Sequence, residues 1–77
     1  MRTLGREIKK VRIDKGWKQK DLRDATGLSQ KYLSEIETDR VDPRISIVKR
    51  IAQALGVSID RLTQEERENE RQPAAVA

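Results

Sequence analysis

Four polar residues lie at helical spacing between residues 30 and 35 of this 77-residue chain: Gln30, Lys31, Ser34 and Glu35. If the segment is a helix whose apolar residues point inward, these side chains lie on or beside its outward face. An amide, an ammonium group, a hydroxyl and a carboxylate are groups that hydrogen-bond to base edges in the major groove of duplex DNA. The same composition is also typical of an ordinary solvated helix face, so the neighbouring elements must decide between the two interpretations.

The residues around this face predict two short helices joined by a tight turn. The turn sequence TGLS (26–29) places a glycine, which enters the left-handed conformation without steric cost, before a serine suited to cap the next helix. We therefore predict one helix over residues 19–26 and another from the residue after Ser29 to about Thr38. A turn this short sets the helices steeply across each other, as in the DNA-binding helix-turn-helix. Five apolar residues stand at the offsets that would lock the pair together: Leu22, Ala25, Leu28, Leu33 and Ile36.

Three further helices are predicted to support this pair. They cover residues 3–15, residues 45–55 and a short stretch after Ser58. Their core-facing residues at helical spacing are Leu4, Ile8, Val11, Ile45, Val48, Ile51, Ala52, Leu55, Ile59 and Leu62. Almost no stretch alternates with a period of two, so we predict an all-α fold of about five short helices in one domain over residues 1–63. Residues 64–77 are rich first in Glu and Arg and then in Pro and Ala, which predicts a charged, flexible tail.

Composition limits the chemistry open to the chain. It contains neither Cys nor His, which removes disulfides, thiolate sites and the commonest metal ligand and general base. We therefore expect no enzymatic activity, no metal and no cofactor. Residues 1–63 carry 15 Lys and Arg against 9 Asp and Glu, and residues 64–77 carry 2 against 4, so the basic folded part favours a polyanionic partner. No apolar run approaches the ~20 residues of a membrane span, and we expect a cytoplasmic, nucleoid-associated protein without membrane contact.

Taken together, these segments resemble the lambda-repressor/Cro-type (XRE-like) helix-turn-helix regulators. The resemblance covers about residues 4–63 and rests on LGREI (4–8), Arg12, GWKQ (16–19), Leu22, GLS (27–29), YLSEIE (32–37), Pro43 and IAQALGV (51–57). It implies a lambda-repressor-like domain whose second and third helices form the motif. It also implies a transcriptional regulator, in particular a repressor, that places its third helix in the major groove as a homodimer on a palindromic operator of double-stranded DNA.

The resemblance further implies roles for individual residues. Gln30, Lys31 and Glu35 match positions that read bases, and Ser34 lies beside them. The residues expected at the DNA backbone are Lys18, Gln19, Tyr32, Arg40 and Arg44. The two that match a structural ion pair between the first and third helices are Arg12 and Glu37. The residues expected at a dimer interface are Val57, Ile59 and Leu62.

Several positions depart from the pattern of this family, most clearly Arg23, where the family generally has Ala. Lys18 occupies the N-cap of the second helix, where Ser, Thr or Asn is usual. Because a lysine side chain has no acceptor, Asp21 or a DNA phosphate is left to satisfy the first N–H groups of that helix. The family usually has glycine near residue 39, where this chain has Asp39, a residue type that tolerates the left-handed conformation better than most.

Two alternatives couple DNA binding to a protein partner. An acidic tail would suit an antitoxin that neutralises a toxin and binds DNA only to regulate itself. A restriction–modification controller is also small and dimeric in this family. In either case a toxin or a polymerase would be a partner beside the DNA, and a stable co-purifying protein would distinguish such a regulator from a plain repressor.

Overall fold

The computed structural model describes residues 4–63, and every regular element within them is a helix. The first four helices are α1 (Leu4–Asp14), α2 (Gln19–Thr26), α3 (Gln30–Glu37) and α4 (Ile45–Leu55). A fifth, α5, begins at Ile59 and reaches residue 63, where the description ends. The prediction of an all-α fold with five short helices is therefore confirmed. The predicted tail over residues 64–77 and the predicted helix start at Thr3 lie outside the described residues.

The turn between α2 and α3 follows from its sequence. Gly27 has a φ of +77°, a left-handed conformation that side chains resist, and its N–H donates to the carbonyl of Arg23. Ser29 then caps α3, because its hydroxyl oxygen accepts from the backbone N–H of Tyr32 at 3.1 Å. Glycine ends one helix and serine begins the next within three residues, which makes the turn tight.

One apolar core holds the helices together. α1 and α2 each pack against both α3 and α4. The buried apolar residues are Leu4, Ile8, Val11, Leu22, Leu28, Leu33, Ile36, Val48, Ile51, Ala52, Leu55 and Leu62. The last helix is also tied to the first by an ion pair between Arg61 and Glu7, whose nitrogen and oxygen lie 2.5 Å apart. The pair α2–α3 thus rests on a platform made by the other helices.

The contact between α2 and the turn uses Thr26 in place of the predicted Ala25. Ala25 is exposed, whereas Thr26 is buried. The Thr26 hydroxyl donates to the carbonyl of Leu22 at 2.7 Å and accepts from the N–H of Leu28 at 3.2 Å. Because both of its hydrogen-bonding roles are satisfied, this hydroxyl is buried at little cost. The prediction that Ala25 locks the two helices is therefore wrong.

Ile45 and Leu62 were both predicted in the core, and only one of them lies there. Ile45, predicted in the core, is 59% exposed because it is the first residue of α4 and the buried stripe begins at Val48. Leu62 has no exposed surface, which confirms the prediction that it belongs to the core. Because its side chain is fully buried in the protomer, the second prediction for Leu62, a place at the dimer interface, is corrected. Val57 and Ile59, the other two residues of that predicted interface, are partly buried against the same core.

The N-terminal turn of α1 lies directly against the end of α3. A Cβ at residue 5 would overlap the Ile36 carbonyl oxygen and would lie 2.8 Å from that of Glu37 and 2.9 Å from Asp39 Oδ1. The N–H of Gly5 donates to the same Asp39 oxygen at 3.2 Å. Asp39 has the left-handed φ of +57° that the sequence led us to expect at this position. Glycine at residue 5 thus allows α1 to fix the last turn of α3.

Candidate nucleic-acid interface

The helix α3 buries one side and exposes the other. Its buried residues are Leu33, Ile36 and Glu37. On the opposite side lie the four predicted base-reading residues, of which Gln30, Lys31 and Ser34 are exposed and Glu35 is half-buried. A cleft of about 300 Å³ follows this side and is lined by Lys31, Ser34, Glu35, Thr38 and Arg40. The fold therefore brings two cations, one carboxylate and two hydroxyls to one open surface.

The start of α2 carries backbone donors that the described part of the chain leaves without acceptors. The Asp21 carboxylate accepts from the N–H of Lys18 at 2.8 Å, which is half of a capping box. The Lys18 carbonyl accepts the N–H groups of Asp21 and Leu22. Within residues 4–63, no acceptor meets the N–H groups of Gln19 and Lys20. Such groups, at the positive end of a helix dipole, are suited to bind an anion.

A buried ion pair joins α1 to α3. Arg12 Nε donates to Glu37 Oε2 at 2.8 Å and Arg12 Nη2 donates to Glu37 Oε1 at 3.1 Å, a two-point geometry. The two side chains are 10% and 2% exposed. The remaining guanidinium nitrogen, Nη1, donates to the carbonyl of Trp17 at 2.9 Å. Arg12 therefore holds the end of α3 and the loop before α2 at the same time.

Gln19 is the link between this ion pair and the start of α2. Its side chain is half-buried, and its Nε2 donates to Glu37 Oε1 at 3.3 Å. The sequence led us to expect a residue that faces DNA, and it gave no sign of this second contact. No local spacing connects residues 19 and 37, because the contact depends on the crossing of α2 and α3.

The other residues predicted at the DNA backbone are spread around this surface. Arg40 is exposed and lines the cleft, whereas Arg44 is exposed at the N-cap of α4 and is not among the cleft residues. Tyr32 is partly buried against the core. Trp17 is also partly buried there, and the Lys15 ammonium lies 5.0 Å from the centroid of its ring.

Between residues 4 and 63, no three or more carboxylates are grouped in a way that could hold a metal ion. No helix in this part of the chain has the length and apolar character needed to cross a membrane.

Known proteins resemble this chain in sequence and in structure. The immunity repressor protein of Bacillus phage phi105 is 36% identical over 64 residues, which cover 83% of this chain and 44% of the repressor. The HTH-type transcriptional regulator SinR of Bacillus subtilis (strain 168) is 32% identical over 68 residues, 87% of this chain and 61% of SinR. The chain thus spans less than half the length of the phage repressor and less than two thirds of SinR.

A solved structure agrees with these relatives. The crystal structure of the hypothetical transcription factor NHTF from Neisseria superimposes with a TM-score of 0.75 at 32% sequence identity, covering 86% of this chain and 79% of that one. The helix-turn-helix family itself matches residues 8–62, which include all of α2 and α3 and the ion pair that supports them. The chain therefore belongs to the XRE-type helix-turn-helix family of DNA-binding transcriptional regulators.

Proposed function

We propose that this protein is a sequence-specific repressor that inserts α3 into the major groove of double-stranded DNA. The observation that carries the proposal is the open side of α3, where the side chains that can distinguish base pairs lie together. Lysine donates to the guanine acceptors, glutamine forms a two-point contact with adenine, and glutamate accepts from the cytosine amino group. We assign these roles to Lys31, Gln30 and Glu35 in turn, with Ser34 beside them.

Contacts to the phosphates would position the reading helix. The free N–H groups at the start of α2 and the side chains of Lys18 and Gln19 suit one phosphate group. Arg40, Arg44 and Tyr32 would contact further phosphates of the DNA backbone. Each cation that neutralises a phosphate releases a counterion, so operator affinity should fall steeply with salt concentration.

We further propose that two copies bind a palindromic operator. An eight-residue helix spans only about 12 Å, so one copy reads few base pairs. Two-fold dimers of this class place their reading helices about one DNA turn (~34 Å) apart. The partly buried residues Val57 and Ile59 are the candidates for the contact between copies. Sedimentation that found a strict monomer, both free and on operator DNA, would contradict this part of the proposal.

Base reading is tested by selecting bound duplexes from a random pool. Wild type is compared with Lys31→Ala and with Lys49→Ala, which removes the same charge from an exposed position on α4. We expect Lys31→Ala to relax the preference at particular base pairs, and Lys49→Ala to keep every preference of the wild type. Unchanged preferences in Lys31→Ala would show that α3 is not the reader.

A repressor is favoured over an antitoxin or a restriction–modification controller because the phage relative is named an immunity repressor. The antitoxin alternative rests on the acidic residues of the segment 64–77, which lies outside the described residues. Purification from the native host distinguishes them, since an antitoxin would retain a stoichiometric protein partner. A chain that elutes alone and still binds its selected operator tightly would support the plain repressor.

A further inference from the structure

We infer that Glu37 is a positioning residue for the phosphate contact at the start of α2, because it fixes the orientation of the Gln19 amide. This inference rests on the proposed function, since it requires that the start of α2 lie on DNA. It gives the buried ion pair a role in binding in addition to its role in joining α1 to α3.

The chemistry of the contact allows only one orientation of the Gln19 amide. The Glu37 carboxylate, paired with Arg12, offers acceptors alone, so the Gln19 carbonyl oxygen is repelled from it. Nε2 therefore faces Glu37, as the 3.3 Å distance to Oε1 records. An amide nitrogen carries two hydrogens, and only one of them can point at Glu37. The second points away from the carboxylate on a side chain that is half-exposed, where it can donate to a phosphate.

The same guanidinium group binds the residue that contacts the Gln19 side chain and the backbone two residues before Gln19. Arg12 holds Glu37, which holds the Gln19 side chain, and Arg12 also binds the Trp17 carbonyl two residues before Gln19. Glutamine is a flexible side chain, and ordering it only when DNA binds would lower the affinity. Here the hydrogen bond to Glu37 orients the Gln19 amide before DNA binds.

The ion pair does not need Gln19 for its own satisfaction. Each Glu37 oxygen already accepts a hydrogen from Arg12, at 2.8 and 3.1 Å, and both side chains are almost wholly buried. A third, longer hydrogen bond at 3.3 Å adds little to a pair so completed. The contact therefore matters mainly for Gln19, because it fixes the direction in which the side-chain amide points.

A double-mutant cycle on operator affinity tests the inference. Glu37→Asp keeps the charge but shortens the side chain by one methylene, and Gln19→Ala removes the amide. We expect each single substitution to weaken binding about fivefold, the effect of one hydrogen bond. Adding Glu37→Asp to Gln19→Ala should weaken binding by less than about twofold, because only the effect that acts through the joining of α1 to α3 then remains.

The matched control is Glu7→Asp, which shortens the acidic partner of the Arg61 ion pair in the same way. We expect it to leave operator affinity within about twofold of the wild type. Urea unfolding followed by Trp17 fluorescence establishes that each variant is folded under the binding conditions. Losses from Gln19→Ala and Glu37→Asp that multiply fully in the double variant would overturn the inference, because none of the effect of Glu37 on binding would then act through Gln19.

A second measurement needs no substitution and serves if Glu37→Asp does not fold. One of the two Nε2 protons of Gln19 in the wild type should be protected from exchange and shifted from the resonance of a solvated glutamine amide, both free and on operator DNA. Two Nε2 protons that both exchange and resonate as in a solvated glutamine side chain in the free protein would overturn the inference while leaving the proposed function intact. Failure of the proposed function has a different signature, the absence of sequence-selective binding by the wild type, and would overturn both.

Discussion

Replacing Gly5 with alanine should disturb the molecule at the contact between α1 and α3. The added Cβ would overlap the Ile36 carbonyl oxygen and would lie 2.8 Å from the carbonyl oxygen of Glu37. Both atoms belong to the backbone of α3, so they cannot rotate away as a side chain would. The last turn of α3 must shift, and with it the carboxylate that binds Arg12.

The size of the effect follows from three opposing terms. Alanine is favoured over glycine within a helix by roughly 0.5–1 kcal/mol. Inserting a methyl group into a well-packed contact costs about 1–3 kcal/mol. Displacing the Gly5 N–H from Asp39 removes a hydrogen bond worth about 1 kcal/mol. We expect a net loss of about 2 kcal/mol in the free energy of unfolding, or about 10 °C in Tm for a domain of this size.

Thermal unfolding followed by circular dichroism measures this loss, with Lys9→Ala as the matched control. Lys9 is exposed on the same helix, so its replacement should change the stability by less than about 0.5 kcal/mol. Operator affinity of Gly5→Ala, measured well below its Tm, should also fall because Glu37 is displaced. A Gly5→Ala variant as stable as the wild type would refute the reasoning, since α1 and α3 would then not be in the close contact described.

Three further predictions concern single positions. Asp39→Ala should lower the free energy of unfolding by about 2 kcal/mol, because alanine resists the left-handed φ and cannot accept the hydrogen bond from Gly5. Asp39→Asn should stay within about 0.5 kcal/mol of the wild type, and equal urea midpoints for the two variants would contradict this reasoning. Lys18→Ser should stabilise the free protein by about 1 kcal/mol through a new N-cap, and should lower the salt dependence of operator binding by about one ion; an unchanged salt slope would remove Lys18 from the phosphate contacts. Ile45→Ser should leave the free energy of unfolding nearly unchanged, because the Ile45 side chain is largely exposed. A loss of more than about 2 kcal/mol in that free energy would place Ile45 in the core.

Helix positions were predictable because their signals are local. Gly27 and Ser29 mark the end of α2 and the start of α3, and the observed bounds of α2 coincide with the predicted residues 19–26. Spacing predicts which interior residues of a helix are buried. It does not predict burial in the first turn, because the end of a helix can project past the core. Ile45 is such a residue, which is why the predicted stripe of α4 is wrong at its first position.

The polar contacts between helices were predictable only through the resemblance to a known family. The Arg12–Glu37 pair came from that resemblance, whereas the close approach at Gly5 and the hydrogen bond from Gln19 came from neither spacing nor composition. Each of these contacts depends on the angle and distance at which two helices cross. That geometry is determined jointly by the volumes of all the side chains in the core. Thr26 illustrates the same limit on a smaller scale, because its position in the sequence did not show that local hydrogen bonds would satisfy a buried hydroxyl.

A buried ion pair contributes less to stability than well-packed apolar side chains of the same volume. Stability alone therefore does not explain a buried Arg12–Glu37 pair in a chain with a small core and no disulfides. DNA presents phosphates and base edges at fixed separations, so a protein that contacts both must hold the start of α2 and the open side of α3 at a matching separation. Apolar contacts tolerate small sliding movements, whereas a two-point ion pair with further hydrogen bonds to Trp17 and Gln19 has one geometry. The network thus supplies directional constraint between two helices whose relative position determines what they can bind.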